Sequence, residues 1–286
     1  MATVYRARRE GADGFSCILA LKRLRLADPT EDTILMLVEE ARVMSSLNHP
    51  NVVSLLDYGR DDMGRPYLVF EWIDGMDLRG LVAARARRGE QMPWSAAAWA
   101  VALALRGLSA AHERVDDQGI RRPIVHRDIS PGNILVSVHG TALLADFGFA
   151  RSSDRSTLTP TGQLKGKVAY AAPELIHGAR VTERSDLYAA GVVLWEALAG
   201  EALFRDGDEF KLMARILDGD VPPLETRRPD LPQAIYDIVR SAMSLDPARR
   251  PASARAMGES LEGVLLEHGF VRPERILEDE VRKARG

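Results

Sequence analysis

The sequence predicts an α+β protein in two parts, a small β-rich part with one helix and a larger, mainly helical part. Three observations carry this. The first 72 residues hold four strand-like runs around one helical run. After Asp74-Gly75, alanine- and leucine-rich helical patterns take over, interrupted by one short hairpin from Ile134 to Ala145. A cleft between two such parts is where small ligands ordinarily bind.

Each element has a local reason. Thr3 to Arg9 and Phe15 to Leu26 flank the turn cluster Glu10-Gly11-Ala12-Asp13-Gly14, which predicts a hairpin. Asp28-Pro29-Thr30-Glu31 opens a helix, with a cap-type residue, an early proline and acids where the helix dipole favours them. Its apolar stripe runs Ile34, Leu37/Val38, Ala41, Met44, and it stops before Asn48-His49-Pro50. Strands from Val52 to Tyr58 and Tyr67 to Trp72 follow, joined by an Asp61-Asp62-Met63-Gly64 turn. Helical patterns then cover about 93–113, 183–199, 208–218, 232–244 and 252–267, and a charge-rich tail, helical or frayed, covers 269–286.

Composition excludes several classes. With Lys+Arg 38 against Asp+Glu 41, the net charge of −3 leaves no broad basic surface for nucleic acid. The lone Cys17 excludes a disulfide framework and a Cys-rich metal site, and fits a reducing, cytoplasmic compartment. The apolar run Trp94–Leu105 meets Arg106, and Leu187–Ala199 is broken by Glu196, so neither reaches the roughly 20 residues of a membrane span.

The chemistry-bearing residues are His126-Arg127-Asp128-Ile129-Ser130-Pro131-Gly132-Asn133 and, beyond the hairpin, Asp146-Phe147-Gly148. Asp128 and Asn133 lie on one loop, and a hairpin can return Asp146 to the same place. A carboxylate and an amide oxygen suit Mg²⁺, which keeps several waters. Upstream, Leu19-Ala20-Leu21-Lys22 puts a lysine on an apolar strand, with Glu40 in the following helix. Neighbouring Glu39 is the other candidate partner, about 100° round the helix. These motifs resemble those of the bacterial, eukaryotic-like (Hanks-type) serine/threonine protein kinases.

The resemblance implies a two-lobed protein-kinase-like fold over 1–268, with an N-lobe at 1–71, a hinge at 72–75 and a C-lobe at 76–268. It implies that Asp128 orients the attacking hydroxyl and takes its proton, that Asn133 and Asp146 hold Mg²⁺, and that Lys22, paired with Glu40, grips the ATP phosphates. Val4 and Ala20 would contact the nucleotide, and in Phe70-Glu71-Trp72-Ile73 the backbones of Glu71 and Ile73 would meet adenine. Ala172-Pro173-Glu174, Asp186, Gly191 and Arg250 match the family's activation-segment end, central helix and buried ion pair. Arg127 would pair with a phosphate on the activation segment, where Thr159 and Thr161 are the candidate phosphosites, and a homodimer would be one route to autophosphorylation.

Two departures stand against the pattern. Met1-Ala2-Thr3-Val4 looks like the tail of the family's Gly-rich loop, with the preceding glycines and first strand absent from these residues. Ser130 stands where the family usually carries lysine, and Lys165 and Lys167 are the candidate substitutes. The implied function is ATP-dependent phosphorylation of protein Ser/Thr hydroxyls in signalling; a pseudokinase, or a small-molecule phosphotransferase, are the alternatives.

Overall fold

A computed structural model describes residues 2–24, 30–147, 168–204 and 208–286. β1 (Ala2–Glu10) and β2 (Ser16–Leu24) pair antiparallel from Ala2↔Leu24 to Glu10↔Ser16. The turn between them is tightened by Asp13 and Gly14 in the left-handed region, at φ 56° and 77°. β3 (Leu55–Arg60) and β4 (Pro66–Glu71) complete an antiparallel sheet of order β1-β2-β4-β3.

The strand expected from Val52 begins later, at Leu55, because Val52 and Val53 serve the other lobe. Both are buried, and Val53 N–H donates to the Leu144 carbonyl at 2.9 Å. The helix α1 (Glu31–Ser45) is capped by Thr30, whose Oγ1 accepts from Thr33 N–H; Asp28 and Pro29, expected to open it, lie outside the described residues. Leu37, Ala41 and Met44 form its buried stripe, and Glu40 lies on the same face.

After Glu71 the chain crosses to β5 (Gly75–Asp77), which joins β6 (Ile134–Ser137) and β7 (Ala142–Leu144) in a three-stranded sheet of order β5-β6-β7. The expected hairpin is therefore two strands of this sheet. Gly75 is required by packing, since a β-carbon there would collide with the Val136 carbonyl. Asp77 caps α2 (Leu78–Ala86) by accepting from Gly80 N–H at 2.6 Å. This helix lies outside the helical patterns expected from the sequence, because its apolar stripe is short and interleaved with arginines.

The C-lobe is built on α3 (Trp94–His112) and α5 (Glu183–Ala199), both buried along nearly their whole length. Among the described residues, α3 is the one helix long and apolar enough to cross a membrane by length and composition, and its faces are covered inside this lobe. Around these pack the short α4 (Pro173–Ile176), α6 (Glu209–Asp218), α7 (Gln233–Ala242) and α8 (Ala254–Glu267).

The segment expected as a helical or frayed tail contains α9 (Pro273–Arg285), which docks on α3 and α2. Leu277 and Val281 are fully buried. Glu280, 1% exposed, meets Arg85 Nε at 2.7 Å and Lys283 Nζ at 3.1 Å, which compensates a carboxylate that burial alone would make costly. Arg285 reaches Asp74 Oδ1 at 2.8 Å, beside the crossing between lobes.

Replacing Leu277 by alanine is expected to cost about 2–5 kcal/mol, the price of a cavity under α9. Urea unfolding of the two proteins measures it; an unchanged midpoint would mean that α9 is not docked in solution.

Candidate functional site

The loop 126–133 takes its shape from one buried carboxylate. Asp186, 2% exposed near the start of α5, accepts the backbone N–H of His126 (2.8 Å) and Arg127 (2.9 Å), and contacts His112 Nε2 at 2.8 Å. Two backbone bonds to a charge hold Arg127 at φ 67°, a conformation that a residue with a β-carbon ordinarily avoids. Burial pushes the pKa of His126 down, with the Asp186 charge opposing it. The neutral ring assigned from its contacts donates from Nε2 to the Ala145 carbonyl (3.2 Å) and accepts at Nδ1 from Asp128 N–H (3.3 Å). It also packs on Phe147, ring centroids 4.4 Å apart.

The result brings Asp128, Asn133 and Asp146 together. Asn133 Nδ2 donates to the Asp128 carbonyl (2.8 Å) and to Asp128 Oδ2 (3.2 Å), so its Oδ1 is left as an acceptor. Ala145 N–H donates to the Asn133 carbonyl at 2.9 Å, and Asp146 follows at φ 55°. An amide oxygen and a half-exposed carboxylate so placed are the hard oxygen donors a small divalent cation prefers.

Lys22 joins the lobes. Its Nζ lies 2.5 Å from Glu40 Oε1 and 2.8 Å from Asp146 Oδ1. Burial disfavours the ammonium, but the carboxylates of Asp146 and Glu40 outweigh it, and the lysine pKa stands above its ordinary value. Burial pushes Glu40 up, against the attraction of Lys22. Glu39, the alternative partner, is turned away and pairs with Arg42 at 2.6 Å.

Beside Lys22 opens a cavity of about 330 Å³ whose walls include Val4, Ala20, Lys22, Glu71, Ile73 and Asp146. These are the nucleotide-contact residues expected from the sequence, apart from Asn133, which lies on the adjoining loop. Glu71 spends its side chain and its N–H on structure, the carboxylate accepting from Ser54 N–H at 2.7 Å and the N–H donating to the Ser54 carbonyl at 3.1 Å. Arg127 lies away from this cavity, beside Asp128, Tyr170 and Asp186. Thr159, Thr161, Lys165 and Lys167 lie outside the described residues. Arg79, whose guanidinium approaches Gly132 of the loop, was missed; the signal was Asp77 three residues before Gly80, a cap that announces α2.

Below the loop, Arg250 forks onto Glu174 with two contacts of 2.7 Å, donates to the Ser244 and Arg184 carbonyls, and lies over the Tyr188 ring. A guanidinium only 3% exposed is thus almost fully hydrogen-bonded.

Comparison with known proteins agrees with this fold. The family model described as "Protein kinase domain" matches residues 1–261. The tyrosine-protein kinase MasK of Myxococcus xanthus is 35% identical over 269 residues, 94% of this chain and 42% of that protein. The serine/threonine-protein kinase PknL of Mycobacterium tuberculosis is 37% identical over 229 residues, 80% of this chain and 54% of that protein. The chain thus spans about half the length of these relatives. The crystal structure of the Mycobacterium tuberculosis PknI kinase domain, a C20A mutant, superposes with a TM-score of 0.64 at 26% identity, covering 92% of this chain and 90% of that one. Protein kinases use ATP and a divalent metal, and the donors around Lys22, Asn133 and Asp146 fit both.

Glu174→Gln is expected to destabilise the protein by about 3–5 kcal/mol at neutral pH, because it leaves the buried Arg250 charge without its counter-ion. Burial pushes the Glu174 pKa up, but hydrogen bonds from Arg250 and Ser185 outweigh it and hold the carboxyl below its ordinary value. Its contribution is therefore complete at neutral pH and is lost as the pH falls through the carboxylate range. Urea unfolding across pH should show the two proteins converging in acid; a constant gap would contradict the assignment.

Proposed function

The chain belongs to the protein kinase family, and from that premise we propose that it is a serine/threonine protein kinase, transferring the γ-phosphoryl group of ATP to protein hydroxyls with Mg²⁺. The observation that carries this is Lys22 bridging Glu40 and Asp146 at the mouth of a nucleotide-sized cavity, next to the Asp128–Asn133 loop. Relatives named as serine/threonine-protein kinases favour this reading over a folded module without transfer.

In this reading Asp128 orients the acceptor hydroxyl and takes its proton as the oxygen attacks the γ-phosphorus and the bond to the ADP oxygen breaks. Lys22, held by Glu40, grips the α- and β-phosphates. Val4 and Ala20 cover the base, and the backbones of Glu71 and Ile73 meet its edge. Asn133 Oδ1 and the Asp146 carboxylate would hold Mg²⁺, which would supply charge neutralisation at the phosphate oxygens.

Ser130 supplies a hydroxyl where an ammonium is usual, and Lys165 or Lys167 takes over that charge in our reading. Arg127 Nε is buried with no hydrogen-bond partner among the described residues, which supports a role in receiving a phosphate on Thr159 or Thr161. Phosphorylation of that segment by a second copy of the chain is the simplest route. The ATP it consumes argues for a cytoplasmic domain. Serine/threonine over tyrosine preference rests on relatives named for it, PknL among them.

Asp128→Asn is expected to lower transfer of radiolabel from ATP to protein by about 10²–10⁴-fold, the usual worth of a positioned general base. Phosphoamino-acid analysis of the wild-type product should return phosphoserine and phosphothreonine. Equal labelling by Asp128→Asn would remove the mechanism, and phosphotyrosine alone would remove the substrate assignment.

A further inference from the structure

A second cavity, of about 700 Å³, is larger than the one beside Lys22. It lies between α2, Pro131 of the catalytic loop, Tyr170 and the C-terminal end of α5. Its wall on the α2 side is a single helical stripe, Arg79, Val82, Ala83, Ala86 and Arg87, at the spacing that puts residues on one face. One end of this groove touches the catalytic loop: a β-carbon at Gly132 would lie 3.6 Å from Arg79 Nη2 and 3.9 Å from Ser130 Oγ.

The charges in the groove are unevenly satisfied. Glu196 accepts from the Tyr170 hydroxyl at 2.7 Å and from Leu203 N–H at 3.0 Å, one bond to each oxygen. Glu201 is met by Arg227 at 2.9 Å. On the facing helix, Arg85 and Arg88 turn the other way, to Glu280 and Glu90. Arg79 and Arg87 are exposed and form no ion pair among the described residues; Arg79 hydrogen-bonds the Tyr170 hydroxyl, which leaves its other N–H groups for a ligand. The acids of the groove are answered internally, and its two arginines keep guanidinium donors with no counter-ion among the described residues.

We propose that Arg79 and Arg87 are specificity-determining residues that select acidic protein segments, seating Asp or Glu side chains of the substrate along α2 next to the hydroxyl being phosphorylated. This rests on the kinase reading above and names the substrate class for it. Guanidinium forks match carboxylates with paired hydrogen bonds, and a like-charged side chain in the same groove is repelled. The eight-residue spacing on a helix separates the two arginines by about 12 Å, and an extended chain covers that in roughly four residues. Two acidic positions about four residues apart should therefore be favoured, the nearer one served by Arg79, which borders the catalytic loop.

The test is a degenerate peptide library phosphorylated by the full chain, with Arg79→Glu and Arg87→Glu alongside. Wild type should enrich Asp and Glu at two positions. Arg79→Glu should reverse the preference at the position nearer the acceptor, and Arg87→Glu at the farther one. Each change should be about tenfold or more in kcat/KM between acidic and basic peptides, carried mainly in KM, as expected when a charge complement becomes a charge repulsion. Both side chains are exposed, so matching thermal midpoints verify folding, and Arg79→Gln and Arg87→Gln, which only remove charge, should flatten the preference rather than reverse it. A wild-type profile that is flat or basic, or one unmoved by all four variants, overturns the proposal while leaving the kinase reading standing. Absence of label on any peptide and on the chain itself overturns both.

Discussion

The site depends on a carboxylate that never meets a substrate. Asp186 sits in the buried central helix and accepts two consecutive backbone N–H groups from the catalytic loop. A charge kept this far from water has to be hydrogen-bonded, and the groups that satisfy it are the loop's own backbone. That single exchange fixes the left-handed turn at Arg127 and, through the neutral His126, ties Asp128 to Ala145. The catalytic loop and the segment bearing Asp146 are thereby referenced to the same rigid helix.

Lys22 then couples the lobes. Its strand belongs to the four-stranded sheet, Glu40 to α1, which packs on that sheet, and Asp146 to the C-lobe. Because the ammonium is partly desolvated, losing either carboxylate changes its energy more than losing a surface pair would. The packing of α1, set by Leu37, Ala41 and Met44, therefore bears directly on whether the cleft is assembled. The Glu174–Arg250 fork does the corresponding work lower down, pinning α4 to the loop before α8.

Helix α9 extends this logic to α2. By holding Arg85 through Glu280, it sets the rotation of α2 about its own axis, and that rotation leaves Arg79 and Arg87 facing the groove beside the catalytic loop. The same helix reaches Asp74 through Arg285. The crossing between lobes and the groove wall thus share one support.

Much of this was legible from the residues alone. The turn between β1 and β2, the long helices and the β6–β7 hairpin follow from local spacing and cap chemistry. His126–Asn133, Asp146, Lys22 and Glu40 could be picked out because each chemistry needs a particular residue at a particular separation. Other features were not legible. Val52 and Val53 read as strand, yet they pack on the other lobe, because an apolar pair carries no record of which surface will cover it. Helix α2 escaped because its stability comes from Asp77 and from burial of Leu78, Leu81 and Ala84 rather than from a long apolar period. Glu39 and Glu40 were equivalent in sequence until the rotation of α1 turned one inward. The sequence by itself determined which groups could do chemistry; only the tertiary structure decided which of them meet, because contact between residues more than a hundred positions apart is set by packed helices and sheets, not by local preference.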